Sequence, residues 1–233
     1  MNPLSGITHL LDPLSVELAP RQALALDIQS PLNTLAALRS AHSVSPSPTQ
    51  TPSAPNPKPS QTVDEILFID KKVPGYQQLE SGTRSGVIII ELNPNQDGIA
   101  QISNALAQFQ VRKAIHVVSL GDKGVVKLGA AQLFKSSLGL YASDLRSWAK
   151  SFNEGVDILM YGSNVGADKA LLEQVSALTG ADVAASSDRT GSSALSGDWD
   201  LEQKVLRVNT GAIATQLAFQ SSTLQTYAAT LSA

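Results

Sequence analysis

Four short apolar runs, "EILFID" (65–70), "VIIIEL" (87–92), "AIHVVSL" (114–120) and "VDILMYG" (156–162), are separated by stretches whose apolar residues recur at helical spacing. No other feature narrows the fold as much. Runs this short and rich in β-branched residues suit strands rather than helices. "VIIIEL" is apolar at successive positions, as expected of a parallel strand buried on both faces. Between the second and third runs, Asp97 can cap a helix with Ile99, Ile102, Leu106 and Phe109 on one stripe. Tyr141, Leu145, Trp148 and Phe152 recur in the same way before the fourth run. Leu171, Leu172, Val175 and Leu178 follow it, with Gly180 as the helix stop. "DVAAS" (182–186) reads as a fifth, weaker strand and "VVKLG" (125–129) as a hairpin arm, and the chain from 197 to 219 alternates enough for one or two antiparallel strands. Strands alternating with helices imply right-handed crossovers. The expectation is an α/β three-layer sandwich. Its mostly parallel central sheet runs in the order 2-1-3-4 for the first four strands and is flanked by helices.

The pattern is confined to one part of the chain. Residues 43–62 hold six of the twelve prolines and a single charge, Lys58, and read as an extended, solvated linker. Residues 1–42 read as a poorly ordered leader, in which "SPLNTLAALRSA" could form a short helix with Leu35 and Leu38 on one side. The folded domain is then expected over 63–220, followed by a tail, 221–233.

Several function classes drop out. Net charge is −3 with no basic patch, so no nucleic-acid partner is expected. No stretch approaches the roughly 20 apolar residues of a membrane span. The first residues lack a basic start and a continuous apolar core, so no secretory signal is visible. Cysteine is absent, which removes disulfides, thiolate metal sites and a cysteine nucleophile.

Ligands of open α/β sheets bind at the carboxyl ends of the strands. The third run ends in Ser119-Leu120-Gly121 and the fourth in Gly162-Ser163-Asn164. If those strands are neighbours, residues 120 and 163 lie side by side. The stretches "ILFID", "VIIIEL", "QDGIAQISNALA", "IHVVSLG", "DILMYGSNV", "LTGADVAAS" and "GDWDLE" together resemble a bacterial domain-of-unknown-function family, number 4347, over roughly 65–219. That resemblance implies kinship with the caspase-like His–Cys peptidases and with domains near the N-terminus of large surface or secreted proteins. In that group a histidine follows one strand, in a Ser-His-Gly context, and a cysteine follows the next, in Tyr-Gly-Cys-Asn. Here Leu120 stands at the first place and Ser163 at the second. "VELAPRQALALD" in the leader also resembles a short Leu-Glu-Pro-Arg segment of such proteins, with Ala19 in place of the acid.

A serine hydroxyl becomes a useful nucleophile only when an adjacent base takes its proton. His9 and His42 lie in the leader. His116 lies four residues before position 120, about 13 Å away at roughly 3.3 Å per residue, and reads as a satisfied core histidine. Lys123 could in principle form a Ser–Lys pair, but flanked by Asp122 and Gly124 in a turn it reads as exposed. The resulting expectation is a catalytically silent, caspase-like module that binds or docks a protein or peptide. The former dyad positions are Leu120 and Ser163, and Ser119, Gly121, Gly162, Asn164 and Asp188 line the cleft. The rival is a serine hydrolase or self-processing peptidase using Ser163. A third reading is a standalone remnant of a larger surface protein, ending at Ala233 shortly after the resembling stretch. "SSDRTGSS" (186–193) could line the same cleft, with Asp188 either recognising a basic side chain or forming a turn. Trp199 is expected to pack under the sheet edge. "NPNQDG" (93–98) lacks the ligands of a calcium loop, "GDKG" is not a phosphate loop, and no metal or cofactor is expected.

Overall fold

The computed structural model describes residues 61–207, 211–214 and 216–233. The leader, the short helix expected around Leu35 and the linker up to residue 60 lie outside the described residues.

The chain builds β1 (Gln61–Asp70), α1 (Tyr76–Ser81), β2 (Val87–Leu92), α2 (Gly98–Leu106) and β3 (Phe109–Val118) in turn. A small antiparallel unit follows: β4 (Leu120–Asp122), β5 (Val125–Leu128) and β6 (Ala131–Leu133). Then come α3 (Leu138–Trp148), β7 (Asp157–Met160), α4 (Lys169–Thr179), β8 (Asp182–Ala185), β9 (Gln203–Val205) and α5 (Ser221–Thr226). The main sheet has the order β2-β1-β3-β7-β8-β9, parallel except for β9 against β8. The first four strands therefore stand in the expected 2-1-3-4 order.

Side-chain alternation divides the core into two layers. Ile66, Phe68, Ile115, Val117, Ile158 and Met160 face one side, with Ile99, Ile102 and Leu106 of α2, Leu145 and Trp148 of α3, and Leu171, Leu172 and Val175 of α4. Leu67, Ile69, Ala114, Val118, Leu159 and Tyr161 face the other, with Leu79 of α1, Phe219, Tyr227 and Leu231. The result is a three-layer α/β sandwich. Local chemistry fixes the helix ends. The Asp97 carboxylate accepts from the Ala100 N–H at 3.0 Å, Asp168 accepts from Ala170 N–H at 3.0 Å, and Gly180 closes α4 at φ 78°. Among the described residues no helix is long and apolar enough to cross a membrane.

Several expectations need correction. Phe109 does not continue the stripe of α2, since the helix ends at Leu106 and Phe109 opens β3, paired with Gln61. Alternation in Gln108-Phe109-Gln110-Val111 outweighs the helical period there. "VIIIEL" is not buried on both faces. It is an edge strand, and Ile88 and Ile89 are 39% and 40% exposed. The linker boundary at 62 is too late. Gln61 and Thr62, which follow the last proline of the run, already pair with Phe109 and Gln110. Residues 221–233, set apart above as a tail, pack into the domain through α5, Tyr227 and Leu231.

Candidate functional site

The carboxyl ends of β3 and β7 meet at two glycines. β3 and β7 are adjacent, with His116 in register with Leu159. β7 runs on through Tyr161 to Gly162 and Ser163, and Asn164 takes the left-handed conformation (φ 59°) before the turn into α4. A Cβ on Gly121 would lie 2.5 Å from the Ser163 carbonyl oxygen and 2.6 Å from the Gly162 carbonyl carbon. Only glycine lets these two backbones come so close. Leu120, just before, pairs with Lys127 in the β4–β5 hairpin and is half-buried against the second core layer.

A third loop closes the site. Asn164 N–H donates to the Asp188 carbonyl at 2.5 Å, and Gly166 N–H donates to the Ser186 carbonyl at 2.7 Å. Gly124 N–H donates to the Asn164 carbonyl at 3.0 Å. Gly121, Gly162, Ser163 and Asn164 are thus brought together with the 186–192 loop, and Ser119 lies buried two residues before Gly121. Asp188 contributes its backbone to the junction, while its carboxylate is exposed near Ser186 Oγ at 3.3 Å. Partial desolvation, then the neighbouring Glu202 and Asp198 carboxylates, hold the Asp188 pKa above its ordinary value. Oxygens of these three acids lie within 4.8 Å of one another and could supply ligands to a cation. Glu202, however, already accepts from the Ser187 N–H and hydroxyl.

Ser163 is fully buried. Its Oγ accepts the Thr190 N–H at 3.0 Å and lies 3.1 Å from the Ser232 hydroxyl. Residues 229–233 run across the loops that follow β3 and β7. The Leu231 carbonyl accepts two N–H groups, from Gly121 at 2.8 Å and Ser163 at 3.2 Å. Leu231 N–H donates to the Thr190 carbonyl (2.9 Å), Ser192 N–H to the Ala229 carbonyl (2.8 Å) and Ala233 N–H to the Gly121 carbonyl (3.0 Å). Gly191, at φ 128°, lies flat against this segment, and a Cβ there would sit 2.4 Å from the Ala229 oxygen. The hydroxyls of Ser119 and Thr190 are buried with no hydrogen-bond partner among the described residues.

His116 serves a different network. Its Nδ1 lies 2.8 Å from the Tyr161 hydroxyl and its Nε2 lies 3.1 Å from a Glu65 oxygen. The Tyr161 oxygen also accepts the Ala218 N–H, and Arg84 pairs with Glu65. With ionised Glu65 only able to accept, a neutral ring carries its proton on Nε2 and accepts from Tyr161. Burial lowers the His116 pKa, against the opposing pull of Glu65. Hydrogen bonding to His116, then to Arg84, lowers that of Glu65. His116 is thus the satisfied core histidine expected from the spacing, and Lys123 is exposed as expected. Trp199 packs edge-on to Tyr161, Phe219 and Tyr227 in the second core layer. Beside it lies a separate groove of about 410 Å³, whose lining includes Leu159, Ala184 and Leu201 but none of Leu120, Gly121 and Ser163.

The model of one protein family, described as a domain of unknown function (DUF4347), matches residues 66–231, more than two thirds of the chain. The chain belongs to this family. No curated protein and no solved structure matches it. The match to the DUF4347 domain opens inside β1 and ends on Leu231, so it takes in most of the segment that crosses the cleft. Residues of this site that were not singled out in the sequence include Thr190, Gly191, Leu231 and Ser232. Thr190 and Gly191 fall in the polar 186–193 stretch, whereas "TLSA" carries no periodic signal, because most of its hydrogen bonds are made by main-chain atoms and only Leu231 and Ser232 add side-chain contacts.

Proposed function

We propose that this DUF4347 domain is a catalytically silent relative of the caspase-like His–Cys peptidases, acting as a binding or docking module. The observation that carries the reading is the environment of the Ser163 hydroxyl. It is buried, bonded to the Thr190 N–H and beside the Ser232 hydroxyl, with no protonatable base bonded to it among the described residues. Leu120, at the position where the resembling peptidases carry histidine, offers no proton chemistry. His116 is engaged at both ring nitrogens and, by register, lies level with Leu159, roughly 13 Å of strand before residue 163. A serine hydroxyl without a base in hydrogen-bond reach is a poor nucleophile at neutral pH. The place of the resembling domains in large surface or secreted proteins suits docking to a protein or peptide.

One observation favours the rival reading, a self-processing peptidase. The Leu231 carbonyl sits between two N–H donors, the arrangement that stabilises an oxyanion in acyl transfer, and Ser163 is beside it. A fluorophosphonate probe and the intact mass of the purified chain separate the two. The silent module takes no label and keeps its mass over days at pH 7–8. Labelling lost in Ser163→Ala, or a species ending at Leu231 that this variant does not produce, would establish the hydrolase instead.

A further inference from the structure

The segment 229–233 meets the rest of the domain as a bound peptide meets its receptor. Its main chain is held on both sides. Leu231 and Ala233 bond to Gly121 and Ser163 on one side, and Ala229 and Leu231 bond to the 190–192 loop on the other. Bridges pair Gly121 with Ser232 in parallel and Gly191 with Thr230 antiparallel. One side chain is read closely: Leu231 is fully buried and joins the apolar layer of Val118, Tyr161 and Tyr227. The flanking residues Ala229, Thr230 and Ser232 are small, and Gly191 leaves no room for a Cβ between loop and segment. Main-chain bonds that give affinity, with a pocket for a single side chain that gives specificity, are the marks of strand addition.

We propose that the cleft bounded by Gly121, Ser163 and the 190–192 loop is a binding site for an extended peptide with leucine among small residues, filled in cis by residues 229–233. The proposal rests on the binding-module reading and names its ligand class. The carbonyl of the buried leucine occupies the pocket formed by the Gly121 and Ser163 N–H groups. A tethered segment acts at an effective concentration on the order of millimolar, so a free peptide competes poorly until the resident one is weakened.

The test uses the full chain and a fluorescein-labelled peptide with the sequence of residues 227–233, read by fluorescence anisotropy. The Leu231→Ala chain should bind this peptide at least tenfold more tightly than the unmodified chain. A peptide carrying alanine in place of its leucine should lose that gain. Adding Gly191→Ala to the Leu231→Ala chain should abolish binding, because the new Cβ occupies the space of the peptide backbone. Equal affinity of the unmodified and Leu231→Ala chains, or binding indifferent to the leucine, overturns the proposal. If Leu231→Ala does not fold, hydrogen exchange on the unmodified chain decides. The amides of Gly121, Ser163, Ser192 and Leu231 should exchange as one set, at least tenfold faster than those of β1 and β3. Exchange of that set at the rate of β1 and β3 means a permanent structural strand and overturns the proposal. Probe labelling of Ser163 would remove the silent-module reading while leaving this peptide site standing. Loss of the leucine dependence would do the reverse.

Discussion

Replacing Gly121 with alanine tests the meeting of the two strand ends more sharply than any other single change. The added Cβ would meet Ser163 O at 2.5 Å, Gly162 C at 2.6 Å and Ser163 N at 2.8 Å, all main-chain atoms with no rotamer to turn aside. Gly121 cannot retreat freely, because its N–H and carbonyl bond to Leu231 and Ala233 and its strand pairs with Val126. Forcing an extra methyl into packed structure costs about 1–3 kcal/mol. Stretching one or two of those hydrogen bonds adds about 0.5–1.5 kcal/mol each. The loss of glycine's freedom in the unfolded chain returns about 0.4–1 kcal/mol. The net expectation for Gly121→Ala is a destabilisation of about 2–4 kcal/mol. At Gly162 the nearest atoms are Val165 Cγ2 at 3.0 Å and Gly121 Cα and N at 3.1 and 3.2 Å. Those contacts yield by a few tenths of an ångström, so Gly162→Ala should cost less than about 1.5 kcal/mol. Urea unfolding at pH 7 reads both, as a shift of midpoint at constant slope. A Gly121→Ala midpoint equal to the unmodified chain's, or a larger shift for Gly162→Ala, would refute the close approach on which the cleft depends.

Two further substitutions probe buried polar groups. Asp157 is 5% exposed, level with Asp182 on β8, and accepts the Ala214 N–H at 2.5 Å. Burial first, and the Asp182 charge after it, push its pKa up to about 6, against the opposing effect of the Ala214 bond. A carboxyl whose folded pKa is raised favours the fold when protonated. Its contribution therefore falls as pH rises from the ordinary value of 3.8 through about 6, and it remains a cost at pH 7. Asp157→Asn should raise stability at pH 7 by about 1–2 kcal/mol once solvent screening is allowed for, and flatten the urea midpoint between pH 5 and 7. A midpoint that drops at pH 7 would show the charge to be favourable. At Thr190 the N–H and carbonyl hold Ser163 and Leu231, while the hydroxyl has no partner among the described residues. Thr190→Val keeps the shape and removes an unsatisfied polar group, so the melting temperature should hold or rise; a loss of more than about 1 kcal/mol would mean that the hydroxyl is bonded in solution.

The sheet was legible because its signals are local. Ile66 to Ile69 and Ile115 to Val118 are short runs rich in apolar and β-branched residues, and Asp97 and Gly180 mark helix ends by mechanisms that need no distant partner. What the composition of a strand did not carry was its exposure, even where the expected order 2-1-3-4 already put that strand outermost. "VIIIEL" has the composition of a central strand but lies at the edge, with Ile88 and Ile89 partly in solvent. Ser163 could be picked out because an apolar strand breaks there into Gly-Ser-Asn. The segment facing it could not, since most of its hydrogen bonds are made by main-chain atoms that every sequence possesses, and one buried leucine with one serine hydroxyl is too short a pattern to read.

Chemistry and binding rest on different atoms at this site. The groups holding the Leu231 carbonyl are the N–H groups of Gly121 and Ser163. They belong to the backbone, so they do not depend on which side chains stand at positions 120 and 163. A leucine in place of a histidine removes proton transfer at once but leaves both donors where the strand ends put them. What those donors do require is the glycine at 121, because a Cβ there collides with the very peptide that carries the second donor. The residue whose loss disables the seat for a peptide carbonyl is therefore Gly121, not Leu120 or Ser163. On the proposed reading, the pair needed for catalysis can drift while the backbone pocket and the leucine site persist, which is how a peptidase-like cleft can retain a ligand without a reaction.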